Sequence, residues 1–155
     1  MGEWCEPGEM AYNSLMIEFP QTCERCGVQG VLSTGERQWH GSYAQGEHMG
    51  FWEHFRCPTC GYSYDADGAP LYDALRLAII AKEGEWVLEI AGTPSISLLK
   101  ALREIRQLSL PELQALRARL PGVITRGTQT EIRYEAELLK NFGATDSLAI
   151  RHIGN

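Results

Sequence analysis

Cys23-Glu24-Arg25-Cys26-Gly27 and Cys57-Pro58-Thr59-Cys60-Gly61 are two matched knuckles about 30 residues apart. Two residues between cysteines let one tight turn aim both sulfurs at a single ion. The glycine that follows permits a positive φ where the chain doubles back. Four thiolates fill a tetrahedral shell and leave no open position for water or substrate, so the ion would contribute folding free energy rather than Lewis-acid chemistry. Structural Zn2+ on Cys23, Cys26, Cys57 and Cys60 is the expectation. Iron stays open, because tetrahedral sulfur ligation accepts either metal, and reduced or redox-active cysteines without metal are the third reading. Cys5 stands well before the first knuckle and reads as a plain thiol. His40, His48 and His54 fall between the knuckles, but four cysteines already close the site, so they read as hairpin surface or core residues.

The pattern resembles a four-cysteine zinc ribbon, and its Cys-Pro-x-Cys-Gly half also resembles a rubredoxin knuckle. A ribbon implies β-hairpins. Leu15 to Phe19 reads as a strand delivering the first knuckle, with Pro20 closing it. Gly30 to Thr34 and Phe51 to Arg56 read as the arms of a long hairpin around the polar Gly41-Ser42 and Gly46-Glu47 stretch. Its aromatics Trp39, Tyr43, Phe51, Trp52 and Phe55 serve as packing in a module too small for a full core, or as a protein-binding patch.

Charge restricts the partner. The chain carries a formal −6 at pH 7, all of it within residues 1–66, while the remainder is neutral. Four thiolates on a divalent ion add negative charge to the same half. Phosphate binding needs Lys and Arg that this half lacks, so nucleic acid is disfavoured and a basic protein surface is the better electrostatic match. No stretch approaches the 18 or so apolar residues of a spanning helix, so no membrane partner is expected. The opening Met1-Gly2-Glu3-Trp4-Cys5-Glu6 shows no export leader and lacks the Ser or Thr of a myristoylation motif. With cysteines grouped as metal knuckles, a reducing cytoplasm is the expected compartment.

Asp65-Ala66-Asp67-Gly68 reads as a turn, after which Pro70 opens a helix with apolar Leu71, Leu75, Ala78 and Ile79 that stops near Gly84. Beyond it, Trp86 to Ile90 is a strand, and Ser95 caps a helix to about Gln107. Ser109-Leu110-Pro111-Glu112 is a capping box for a helix to about Arg119, and Val123 to Thr125 is a short strand. Thr128-Gln129-Thr130-Glu131 is a second capping box, for a helix stopping at Asn141-Phe142-Gly143. Ser147 to Ile153 closes the series as a strand. The fold class is therefore α+β. Residues 1–66 form the ribbon, 67–84 a linking helix, and 85–155 a β-α-α-β-α-β sandwich with helices on one face of a small sheet.

This order resembles the C-terminal, factor-binding domain of the bacterial ribosomal stalk protein, over roughly Gly84 to Ile153. The residues that carry the likeness are Ile96-x-x-Leu99-Lys100-x-x-Arg103-Glu104-Ile105-x-x-Leu108-x-Leu110, then Glu112, Gly127 and Phe142-Gly143-Ala144. The resemblance implies a surface that recruits translational GTPases, with contacts on Ile96, Leu99, Lys100 and Arg103. Gln107 and Ser109 stand where the family has glycines, and Pro111 and Gln114 where it has basic residues. A ribbon also replaces the family's dimerisation region and hinge, which argues against a stalk subunit.

Helical geometry checks that surface independently. At about 100° per residue, Leu98, Ala101, Leu102 and Ile105 share one side and read as core, while Ile96, Leu99, Lys100 and Arg103 centre on the other. The second set is an apolar pair beside two cations, the composition of an interface anchor with a charged rim. The other reading packs Ile96 under its own loop and Leu99 at the core edge. Arg117, Arg119, Arg126 and Arg133 alternate with acids and read as a solvated face.

No phosphate loop, nucleophile motif or deaminase pattern is present, so no catalytic residue and no enzyme is expected. The expected function is that of a bacterial, non-enzymatic protein-binding factor whose partner is a translational GTPase or the translation machinery. The alternative is an immunity or antitoxin-type protein neutralising a cognate toxin, possibly one that acts on translation. A nucleic-acid-binding ribbon regulator is the minor alternative.

Overall fold

The computed structural model describes residues 15–40 and 47–154. Cys5 and Tyr43 therefore lie outside the described residues, as does the centre of the hairpin. The chain divides into two compact units between Pro70 and Leu71; among the described residues the first holds only strands, and the second holds four helices and three strands.

The first unit is an antiparallel sheet of β1 (Ile17–Thr22), β2 (Gln29–His40), β3 (Glu47–Arg56) and β4 (Ser63–Gly68), in sequential order. Side chains alternate across its two faces. Ile17, Leu32, Thr34 and Phe55 are buried, whereas their neighbours Glu18, Val31, His54 and Arg56 are exposed. Leu32 and Phe55 form a small core with the buried Cys23 and Cys57, and Phe19, Tyr62 and Tyr64 pack against it.

Two readings need correction here. Pro20 does not close the first strand but lies inside β1, opposite Val31. β1 is an edge strand, and an edge tolerates a residue that donates no ladder hydrogen bond. Asp65 to Gly68 is not a turn but most of β4, paired with Phe51 to His54 of β3. Turn-forming residues yielded to cross-strand partners: Asp67 accepts from Arg37 at 2.6 Å and Asp65 bonds His54 Nδ1 at 2.6 Å.

In the second unit α1 (Asp73–Glu83) begins three residues after Pro70 and ends at Gly84, with Leu75 and Ile79 buried. There follow β5 (Glu85–Ile90), α2 (Ile96–Arg106), α3 (Leu110–Arg119), β6 (Gly122–Gly127), α4 (Gln129–Asn141) and β7 (Leu148–Gly154). β5 is the centre of an antiparallel sheet ordered β6-β5-β7. Leu88, Ile90 and Ile124 of the sheet share a core with Leu98, Ala101 and Leu102 of α2, Leu116 of α3, and Ile132, Ala136 and Leu139 of α4. Each leucine or isoleucine among them contributes about 1.5–3 kcal/mol on burial.

The caps lie where the polar pattern places them. Ser95 Oγ accepts from Leu98 N at 3.1 Å, and Ser109/Glu112 and Thr128/Glu131 form complete capping boxes. Gly127, just ahead of Thr128, leaves room for the Glu131 carboxylate: a Cβ there would stand 2.5 Å from Glu131 Oε2 and displace it. Arg76 ties α1 to α4 through Glu131 Oε1 at 2.8 Å. Gln107 takes the left-handed conformation (φ 54°) at the end of α2, and its amide donates to Glu104 O at 2.7 Å.

Candidate metal centre and docking face

Antiparallel order puts the β1–β2 and β3–β4 turns at the same end of the first sheet, and these turns are the two knuckles. They are built alike. Cys23 N donates to Val28 O at 2.8 Å and Gly27 N to Cys23 O at 2.9 Å; Cys57 N donates to Tyr62 O at 2.7 Å and Gly61 N to Cys57 O at 3.2 Å. Gly27 and Gly61 have φ of 76° and 72°, the positive values the doubled-back chain requires.

All four Sγ atoms lie within 4.8 Å of one another. A tetrahedral ion with metal–sulfur bonds of about 2.3 Å needs sulfurs about 3.8 Å apart. Cys23–Cys60 at 3.7 Å and Cys26–Cys57 at 3.4 Å meet that spacing. Soft thiolate donors at this spacing fit a tetrahedral metal ion.

The electrostatics of the cluster favour a cation. The Cys57 thiol is lowered to about 6, chiefly by the backbone N–H of Cys60, while burial opposes the shift. At Cys26 the largest single influence, the backbone hydrogen bond of Val28, lowers the value. Its sulfur neighbours, Cys57 foremost, and burial together outweigh that and push it up to about 12. Once one sulfur ionises the next resists. A divalent ion supplies the charge that lets all four ionise, so its uptake expels protons. Outside the cluster, the Arg25 guanidinium lies 5.2 Å from the Tyr62 ring centroid, joining the first knuckle to the strand entry after the second.

In the second unit the four expected contact residues share the outer side of α2. Ile96 is 74% exposed, Lys100 and Arg103 are exposed, and Leu99 is half-buried, while Leu98, Ala101 and Leu102 face the core. Lys100 and Arg103 line an open groove of about 630 Å³ with Glu104, Gln107, Leu108 and Phe142. Among the described residues neither cation has an ion-pair partner, whereas Arg76, Arg106, Arg126 and Arg151 are all paired with glutamates.

Glu104, Gln107, Leu108 and Phe142 are groove residues that the contact set omits. Phe142 caps α4 and is 50% exposed. The four arginines read as solvated, Arg117, Arg119, Arg126 and Arg133, are all exposed, and Arg126 also pairs Glu85 on the neighbouring strand at 3.3 Å.

No family model, curated protein or solved structure matches the chain.

Proposed function

We propose that this chain is a non-enzymatic protein-binding factor. In this reading a zinc-held acidic ribbon is carried beside a stalk-like domain that engages a translational GTPase or another part of the translation machinery in the bacterial cytoplasm. The observation that carries it is the outer face of α2, where Ile96 is exposed and Lys100 and Arg103 stand without carboxylate partners among the described residues. Cations left unpaired beside exposed apolar side chains favour an acidic, partly apolar protein surface. Phe142 and Leu108 extend the contact area beyond α2. Zinc is the metal assigned to the four cysteines, and visible absorbance of the purified protein separates it from iron.

The test is capture by a tagged full chain. Wild type is expected to recover elongation factors, and Lys100→Glu with Arg103→Glu to abolish recovery while the circular-dichroism spectrum stays unchanged. Recovery that survives this double reversal overturns the role of the face.

A second reading is favoured by the concentration of the formal −6 charge in residues 1–66. An acidic module suits the active site of a basic toxin, and the chain is then an immunity protein. Recovery of a single toxin encoded by a neighbouring gene, with rescue of growth, would establish that reading. Salt-sensitive binding to plain RNA or duplex DNA would overturn both.

A further inference from the structure

The knuckles divide their sulfurs in a way that metal ligation alone does not use. Each has one buried cysteine, Cys23 or Cys57, and one exposed cysteine, Cys26 or Cys60. Two sulfur–sulfur hydrogen-bond contacts run between knuckles, and each joins an exposed cysteine to a buried one: Cys26 to Cys57 at 3.4 Å and Cys60 to Cys23 at 3.7 Å. An exposed sulfur is the one an oxidant in solution reaches, and the buried sulfur already in contact with it is placed to resolve the product.

We propose that the four-cysteine cluster is an oxidant-reactive site for hydrogen peroxide, in which Cys26 and Cys60 are oxidised first and the products are the cross-knuckle disulfides Cys26–Cys57 and Cys23–Cys60. This rests on the reading that the cluster holds a metal ion. The Cys26 thiolate attacks one peroxide oxygen, breaking the O–O bond; a sulfenic acid forms, and the departing hydroxide takes a proton from solvent to become water. The Cys57 thiolate then attacks the sulfenic sulfur, forming the S–S bond and displacing hydroxide, which is protonated to a second water. Two thiolates lose two electrons and one peroxide is reduced. The same steps at Cys60 and Cys23 consume a second peroxide. Four thiolates, two peroxides and four protons become two disulfides and four waters, and with no thiolate left the divalent ion departs.

Cross-knuckle bonds have a structural consequence that bonds within a knuckle lack. They join the β1–β2 turn to the β3–β4 turn, as the ion does, so the sheet keeps a crosslink after the metal is gone. Oxidation would thus exchange one staple for another and remove negative charge from the knuckle end of the ribbon.

Peptide mapping of the full chain decides it, in a Cys5→Ser background that leaves four thiols. Tryptic cleavage after Arg25, Arg37 and Arg56 places Cys23 and Cys26 on different peptides, with Cys57 and Cys60 together on a third. After titration with hydrogen peroxide, the expected product is all three peptides joined by two disulfides. Fragmentation between Cys57 and Cys60 should assign Cys57 to Cys26 and Cys60 to Cys23. A chelating dye should read one metal ion released per two peroxides consumed, and dithiothreitol with added zinc should restore the metal-bound form.

A Cys57–Cys60 loop within the third peptide, the opposite cross pairing, or sulfinic acids without disulfide would overturn the proposal. So would metal retention at peroxide doses that oxidise the free thiol of a reference protein. Metal analysis before peroxide keeps the two readings apart: a chain purified without metal sinks the metal reading, while the disulfide map of the same sample still tests the pairing.

Discussion

Thr128 is fully buried, and its hydroxyl accepts the Glu131 backbone N–H at 3.2 Å while the Glu131 carboxylate reaches back to Thr128 N at 3.0 Å. Because Arg76 also bonds this carboxylate, one residue stabilises two helices. Thr128→Ala should cost about 1–2 kcal/mol, read as a lower urea midpoint; a change under a few tenths would show that the box contributes little. Ser109 and Glu112 make the same box on the surface, and there the carboxyl is held below its ordinary value, chiefly by the Ser109 hydroxyl and then by the Ser109 backbone N–H. A depressed folded-state value means stability that is present above the unfolded value of about 4.3 and lost as pH falls through the folded one. Glu112→Gln should therefore make the denaturation midpoint fall less steeply than wild type between pH 5 and pH 3, where pH is the variable set by the experimenter. Equal slopes would remove Glu112 from the acid response.

At the scale of elements, α2 separates packing from recognition. Leu98→Ala empties a fully buried position and should cost about 2–5 kcal/mol. Ile96→Asp, at a position 74% exposed, should leave the denaturation midpoint within about 0.5 kcal/mol while it abolishes partner capture. If both variants lose binding only in proportion to stability, the outer face has no special role. The same helix shows why much of this fold was legible in the sequence. Ser95 at its start and the spacing of Leu98, Ala101 and Leu102 are local signals, and local signals fix helices. β4 was not legible, because Asp65 and Asp67 act as strand residues only once His54 and Arg37 come beside them from distant positions. The exposure of Phe142 was not legible either: composition says that an aromatic is apolar, and only the fold says whether a neighbour covers it. The four cysteines were readable because their ligand spacing is local within each knuckle and their chemistry needs no further partner.

The two units of the molecule differ in what holds them together. In the second, core side chains from α2, α3 and α4 close over a sheet. In the first, the core cluster at the knuckles has two buried apolar side chains, Leu32 and Phe55, beside two of the cysteines themselves. An ion held by the four cysteines would staple so small a cluster, and its binding would be folding free energy. Chelation at neutral pH should therefore abolish amide-exchange protection in residues 17–68 and leave it in 85–154. The helical signal at 222 nm should barely change, since the helices among the described residues lie between Asp73 and Asn141. Acid should act in the same direction, because metal uptake expels protons and falling pH reverses it. Chelation that melts the helices together with the ribbon would show that the second unit depends on the metal too; full protection of residues 17–68 in metal-free protein would show that the cysteines are not what holds the ribbon.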